Sequence, residues 1–375
     1  MFSSVGRPAI NNLGDIAFRA DLSGTGLHSG IFHVASGMTP TNVALFGDTI
    51  ANVPQQLTDF GNPVLNDTRQ IAFNARIGDG YDNQGVFLKT TSGITPIART
   101  GESAAGTPST FGNRFCTFGL ALNNSGIVAF EATLQGSVAG DGVFKYSNGK
   151  IDPVAVTGQA APGTQGGLFS RFTGLSMNQS GQIAFVATLD SGGATQGVFL
   201  ASSAGITAIA LHGQTIPNDA DAIDTILQPS IDDLGNVAFV DSIPIRGRVG
   251  ANTLPRRILI ASAGILSSFA SVGTQIGSET AILKGNFQDP RLVSSAGNSG
   301  ALFVAWRSQR GKNALLLYSR GGISQILQEG DPSPVGGVYS FIGNQVFSPS
   351  GYYAFVSNLE GSAAKSGIFI DKISW

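Results

Sequence analysis

The sequence predicts an all-β chain: a seven-bladed β-propeller of four-stranded antiparallel blades, the last lacking its outer strand. Three recurring motifs carry that expectation. An octet of the form Asn-x-x-Gly-x-x-Ala-Phe appears as Asn11–Phe18, Asn123–Phe130 and Asn178–Phe185. Weaker copies run from Asn66 to Phe73 with Arg69 in the glycine place, from Asp232 to Phe239 and from Ser348 to Phe355, and a degenerate one surrounds Gly300. The glycine places 14, 69, 126, 181, 235, 300 and 351 are 51 to 65 residues apart, so seven units follow one another. A second motif, Gly-Ile/Val-Phe, follows at Gly30, Gly85, Gly142, Gly197 and Gly367, and is replaced by Arg257-Ile258-Leu259 and Ala314-Leu315-Leu316 in units five and six. A third, typified by Gly93-Ile94-Thr95-Pro96-Ile97-Ala98, occurs six times.

Each motif is a short β-branched or aromatic run bounded by Gly, Asn and Ser, which is a strand signal, and helical periodicity is absent. A unit therefore reads as strands a (such as Phe172–Met177), b (Gln182–Leu189), c (Gly197–Ser202) and d (Ile206–His212). Asn at the first place and Gly at the fourth suit a type I turn between a and b. Ala beside Phe suits the contact between neighbouring sheets. Radial repetition of such blades leaves few exposed edges, whereas a solenoid uses shorter coils and a trefoil three units. The predicted repeats are about 1–50, 51–107, 108–164, 165–218, 219–278, 279–338 and 339–375, forming one domain. Met1–Ser4 aligns with Leu168–Arg171, so the chain enters in strand a of blade one and ends after strand c of blade seven. That predicts an open edge through which copies could associate.

Composition narrows the function. The 375 residues hold 51 Gly and 24 Phe, and the 22 Lys+Arg against 24 Asp+Glu exclude a general nucleic-acid surface, which needs a concentrated basic excess. With 42% hydrophobic residues the chain can bury a sizeable core. The apolar runs are too short to span a bilayer, and Met1-Phe2-Ser3-Ser4 lacks a secretory n-region and h-region. Sparse charge with abundant Gly, Ser, Thr and Asn suits an exported bacterial surface protein.

At its octets the sequence resembles a bacterial tandem-repeat (choice-of-anchor) family described by the motif Asn-x-x-Gly-x-x-Ala-Phe. Three copies fit without exception, and the similarity covers nearly the whole chain. The resemblance implies an extracellular or cell-surface protein and carries over no catalytic residue. The chain departs from exported members in showing neither signal segment nor C-terminal anchor.

Candidate chemistry falls on the face where the b-to-c and d-to-a loops emerge, because the opposite face carries the repeated turns and loops on a rigid scaffold are where binding concentrates. Two adjacent b-to-c segments are basic: Arg246, Arg248, Arg256 and Arg257 in blade five, and Arg307, Arg310 and Lys312, after Trp306, in blade six. Guanidinium forks recognise carboxylate, sulfate or phosphate, so the expected partner is an anionic polysaccharide or an acidic protein surface. Asp79–Asn83 and Asn218–Asp221 resemble fragments of calcium loops without the remaining ligands of an EF-hand. His28, His33 and His212 lack zinc-motif spacing, so no metal and no cofactor is expected. Cys116, flanked by Phe115 and Phe118, reads as a buried structural thiol. The expected function is a non-enzymatic binding or structural module; the alternatives are a polysaccharide lyase or hydrolase on a propeller scaffold, or a self-assembling structural subunit.

Overall fold

The computed structural model describes residues 2–24, 29–136, 139–217, 219, 221–244, 253–277, 282–307 and 312–374. It is all-β, with seven antiparallel sheets arranged as a seven-bladed propeller. Their strands span residues 2–45, 57–99, 109–156, 168–211, 225–271, 283–328 and 338–372. In blade four the order is Leu168–Met177, Ile183–Asp190, Gln196–Ser202 and Gly205–Leu211, each strand pairing with the next. The inner strand is split in two in blades one, two and seven. Blade seven ends on Ser366–Lys372, and among the described residues no fourth strand pairs with it.

The Ala-Phe pair works because successive strand residues face opposite sides of a sheet. Ala17, Ala72, Ala129, Ala184, Ala238 and Ala354 are all fully buried and face the following blade, while the phenylalanine beside each faces the preceding one. Within a blade that phenylalanine stacks on the aromatic of strand c: Phe130 on Phe144 with centroids 5.7 Å apart, Phe185 on Phe199 at 5.7 Å and Phe355 on Phe369 at 5.5 Å. Large rings thus meet small alanines at the blade interfaces. The ring closes where Ala354 and Ile368 of blade seven pack on Phe18 and Phe32 of blade one.

The Asn-x-x-Gly segment does more than turn the chain. Asn123 Oδ1 accepts the amides of Ser125 (3.1 Å) and Ile127 (3.0 Å), and Gly126, at φ 75°, donates its own amide to the Asn123 carbonyl. This is a type I turn followed by a left-handed residue, a hairpin loop that favours glycine there. The Asn Nδ2 then reaches the next blade: Asn11 donates to the Asn66 carbonyl, Asn66 to Asn123, Asn123 to Gln179 and Asn178 to Asp232. A second chain of bonds runs alongside, from the amides of Asn12, Asp67, Asn124 and Gln179 to the side chains of Asp67, Asn124, Gln179 and Asp233. Ser350 donates to Asn12 and joins blades seven and one in the same way. Blade five carries Asp232, which has no N–H to give, and Ser299 of blade six donates to its Oδ2 at 2.6 Å instead.

Blade six corrects one expectation. Gly300 lies inside strand b, opposite Val293, and the chain turns two residues wide at Ala296 and Gly297, between the paired Ser295 and Asn298. Their φ values of 49° and 81° are those of a type I′ turn, whose twist matches that of the flanking strands. The octet is degenerate there because a different hairpin replaces it.

Arg69 occupies the glycine place of blade two with φ 60°, and its Nε donates to Asp15 Oδ2 of blade one at 2.7 Å. Burial acts upward on the Asp15 carboxyl, but Arg69, the Ser36 amide and Asn11 together hold it below the ordinary carboxylate value. A depressed folded pKa contributes stability above the unfolded value, and that contribution is lost as pH falls through the folded one. Arg69→Met should therefore lower stability by about 1–2 kcal/mol at neutral pH, discounted for the half-exposed arginine. The gap from wild type should close in acid. Urea midpoints at two pH values measure it, and a pH-independent gap would contradict the assignment.

Candidate functional site

Every inner strand loses register with strand b near its middle, between Phe60 and Val64 in blade two, Phe172 and Leu175 in blade four, and Gln288 and Arg291 in blade six. In blades one, two, five and six a proline sits in the gap: Pro8, Pro63, Pro229 and Pro290. Proline has no N–H for the ladder, so the strand bulges there. The residues ahead of these prolines include Arg7, Asn62, Gln228 and Asp289, and all four line the axis. Gln228 and Asp289 take left-handed φ values of 54° and 53°.

These residues bound a cavity of about 790 Å³ that touches the inner strands of all seven blades. It lies on the d-to-a side, where the irregular loops emerge. Ala9, Val64, Leu120, Leu175 and Val346 also line a second cavity of about 260 Å³, bounded by the turn residues of the opposite face, and so form an apolar collar between the two. The larger cavity is amide-rich, with Asn62, Asn74, Gln84, Gln228 and Asn344 on its wall.

Its charged group is a triad. Arg7 of blade one reaches past blade seven to pair with Asp289 of blade six, and Arg291 Nη2 lies 3.0 Å from the other oxygen of that carboxylate. Asp289 is fixed further by its amide, which donates to Gln228 Oε1 at 2.7 Å, and by its carbonyl, which accepts Gln345 Nε2 at 2.9 Å. Arg7 donates its amide to Asn62 Oδ1 at 3.1 Å. Two guanidiniums therefore share one carboxylate, and burial pushes the Asp289 carboxyl above its ordinary value despite Arg7 acting the other way. Arg291 Nε and Thr173 Oγ1, both buried atoms of cavity-lining residues, have no hydrogen-bond partner among the described residues. Such orphans mark a place for water or ligand.

The arginines singled out by sequence are placed differently. Arg257, 4% exposed, puts Nε 2.7 Å from the fully buried Asp241 and pairs with Asp219; Arg256 binds Asp241 at 2.8 Å and Asp221 at 3.0 Å. Three carboxylates thus surround two guanidiniums, and the cluster offers an incoming anion no excess positive charge. The Asp221 amide, with Arg257 next, holds the Asp219 carboxyl below its ordinary value. Arg307 donates to Gln328 Oε1 at 2.8 Å, and Lys312 is half-buried near Gly330. Arg246, Arg248 and Arg310 lie outside the described residues, as do His28 and Asn218.

Among the described residues no group of three or more His, Cys, Asp or Glu could hold a metal ion. Asp82 accepts Asn113 Nδ2 at 2.8 Å. His33 lies 3.9 Å from Asp15, and burial, with Arg69 nearby, holds its imidazole below the ordinary value. His212 lines a pocket of about 230 Å³ beside blade four. Cys116 is corrected in one respect: it is half-buried rather than buried, at φ 56° on the cavity wall, while packing on the core of blade three. Burial and the nearby Glu131 push its thiol well above the ordinary value, so it is a thiol and not a thiolate.

A family model described as a family of unknown function, DUF7453, matches residues 1–198 and again 192–373. No curated protein matches the sequence. Among solved structures, a prolyl endopeptidase superposes with a TM-score of 0.53 at 11% identity over 97% of this chain and 46% of that one. A Mycobacterium tuberculosis puromycin-hydrolyzing peptidase gives 0.51 at 9% over 99% and 52%, and prolyl oligopeptidase B from Galerina marginata gives 0.50 at 11% over 99% and 49%. The chain spans about half the length of these solved chains. At such identities the likeness shows the propeller fold alone.

Proposed function

The chain belongs to DUF7453, a family of unknown function, and from the chemistry of its axial cavity we propose that it is a non-enzymatic binding module for an acidic carbohydrate. The observation that carries this reading is the Arg7–Asp289–Arg291 group on the cavity wall, in which two guanidiniums share one carboxylate and Arg291 Nε has no partner among the described residues. A planar fork suits a uronate carboxylate or a sulfate. The surrounding amides both donate and accept, as sugar hydroxyls require. A cavity of about 790 Å³ is of small-ligand size, which favours an oligosaccharide end over an acidic protein surface.

A lyase or hydrolase needs a convergent acid and base. Of Asp, Glu, His and Tyr, the described cavity wall supplies Asp289 alone, already clamped between two arginines. We place the protein outside the cell or at its surface, a proposal supported by its low charge and by the resemblance of its repeat.

Equilibrium binding to uronate-containing and neutral oligosaccharides tests the reading. Acidic ligands should bind and weaken with salt, Arg291→Gln should cost about tenfold in affinity, and Asp289→Asn should strengthen binding by removing the competing carboxylate. The pH sign follows from the raised Asp289 value: the folded chain holds that proton more tightly than the unfolded one, so charging the group costs stability as pH rises through its folded value. Lowering pH through the folded Asp289 value should free the guanidiniums and tighten binding, and Asp289→Asn should remove that dependence. Equal affinity for neutral sugars, or an unaffected Arg291→Gln, would sink the proposal.

A further inference from the structure

The wall of the axial cavity is built from the inner strands and their bulges, with two exceptions among the described residues: Asn74 of strand b and Gln84 of strand c, both in blade two. Asn74 reaches the axis because Gly61, in the interrupted inner strand, has no side chain; a Cβ placed there would collide with Asn74 Oδ1. On the same strand Ala72 packs against Phe111 and Phe115 of blade three, so Asn74 and Arg76, two and four residues on, face that blade as well. Asn74 Nδ2 accordingly donates to the Phe115 carbonyl at 3.3 Å. The cavity therefore extends outward from the axis into the groove between blades two and three, with Phe115 and Cys116 as its far wall.

Arg76 and Tyr81 stand over this groove. Arg76 pairs opposite Gln84 in the ladder, and its guanidinium carbon lies 4.3 Å from the centre of the Tyr81 ring. The buried Arg76 Nε has no hydrogen-bond partner among the described residues. Gln84 Nε2 donates to the Tyr81 carbonyl at 3.4 Å, which ties the b-to-c loop to the cavity wall. Tyr81 is 75% exposed, more than any other large apolar or aromatic side chain among the described residues. An arginine thus holds an aromatic ring in solvent beside an amide-lined extension of the cavity.

Resting on the acidic-carbohydrate reading of the axial site, we propose that this groove is a second sugar subsite. The charged unit of the ligand sits at Arg7 and Arg291, and a neutral sugar further along the same chain stacks on Tyr81 with its hydroxyls on Asn74, Gln84 and Arg76 Nε. One face of a pyranose presents C–H groups, which suit the negative face of an aromatic ring, and amides both donate to and accept from hydroxyls. The groove favours a neutral unit because its charges cancel: Arg19 pairs with Asp21 and Asp59, and Arg76 lies 3.7 Å from Asp59.

Two probes of equal charge test the subsite: methyl glucuronide, and a linear tetrasaccharide of one terminal glucuronate and three neutral hexoses. The wild-type chain should bind the tetrasaccharide about tenfold more tightly. Tyr81→Ala, whose fold circular dichroism checks, should bring the tetrasaccharide down to the affinity of methyl glucuronide, whereas Arg291→Gln should weaken both ligands. In Tyr81→Trp the added indole emission should shift with the tetrasaccharide and stay fixed with methyl glucuronide. No gain with length in the wild type, or a gain that survives Tyr81→Ala, would overturn the subsite and leave the axial reading standing. Acidic probes that bind no better than their neutral counterparts would overturn the axial reading and the subsite with it.

Discussion

Phe185→Ala should lower the folding free energy by about 3–5 kcal/mol, read as a shift in urea midpoint at unchanged slope. Phe185 is fully buried and lies within 5.7 Å, centroid to centroid, of Phe169, Phe172 and Phe199, while its other contacts include Ala129 and Val143 of blade three. A cavity there sits between two rigid sheets that cannot collapse onto it without breaking the ladders on either side. The neighbouring Ala184, which faces blade five, should be equally intolerant in the opposite sense, because Ala184→Phe forces a ring between sheets spaced for a methyl group. A midpoint shift for Phe185→Ala no larger than that of an exposed substitution would contradict the packing scheme.

Asn123→Ala should cost about 2–4 kcal/mol, which is large for a turn residue. Its side chain is 1% exposed and carries two duties: Oδ1 satisfies the amides of Ser125 and Ile127, and Nδ2 satisfies the Gln179 carbonyl of blade four. Removing it takes the side-chain partner from three backbone groups in two blades at once. Asn123→Asp should not rescue, since it keeps the acceptor but presents a carboxylate to that carbonyl. Blade five tolerates Asp232 only because Ser299 and Asn236 donate to it. Ser125→Ala, at the exposed tip of the same turn, is the control and should change stability by less than about 0.5 kcal/mol.

The fold was legible because its cause repeats. Six copies of a turn and of a large–small pair can be counted along the chain, and a chemical reason attaches to each. The belt between blades was not legible, since the type I preference of Asn explains its Oδ1 and leaves the Nδ2 without a stated task. Blade six misled because its hairpin is of another type, so Gly300 stood in for Gly297. The axial site escaped for a different reason: Arg7, Asp289 and Arg291 are not repeated, and each belongs to a different local sequence. Prolines in four inner strands, three of them three residues before the octet, were the available signal, since a proline cannot donate to the ladder and its neighbour here lines the axis. Counting the basic residues from Arg246 to Lys312 left out the acidic side. Asp219, Asp221 and Asp241 are spread over 23 positions in sequence and converge on Arg256 and Arg257 only when the blade folds.

The most direct test of the axial site is a crystal structure of the chain soaked with an acidic oligosaccharide. Density for a carboxylate or sulfate between Arg7 and Arg291, with sugar against the amide wall around Asn344 and Gln228, is the result this account predicts. Ligand bound at the loops around Arg256 and Arg307, with the axial cavity holding solvent alone, would contradict it.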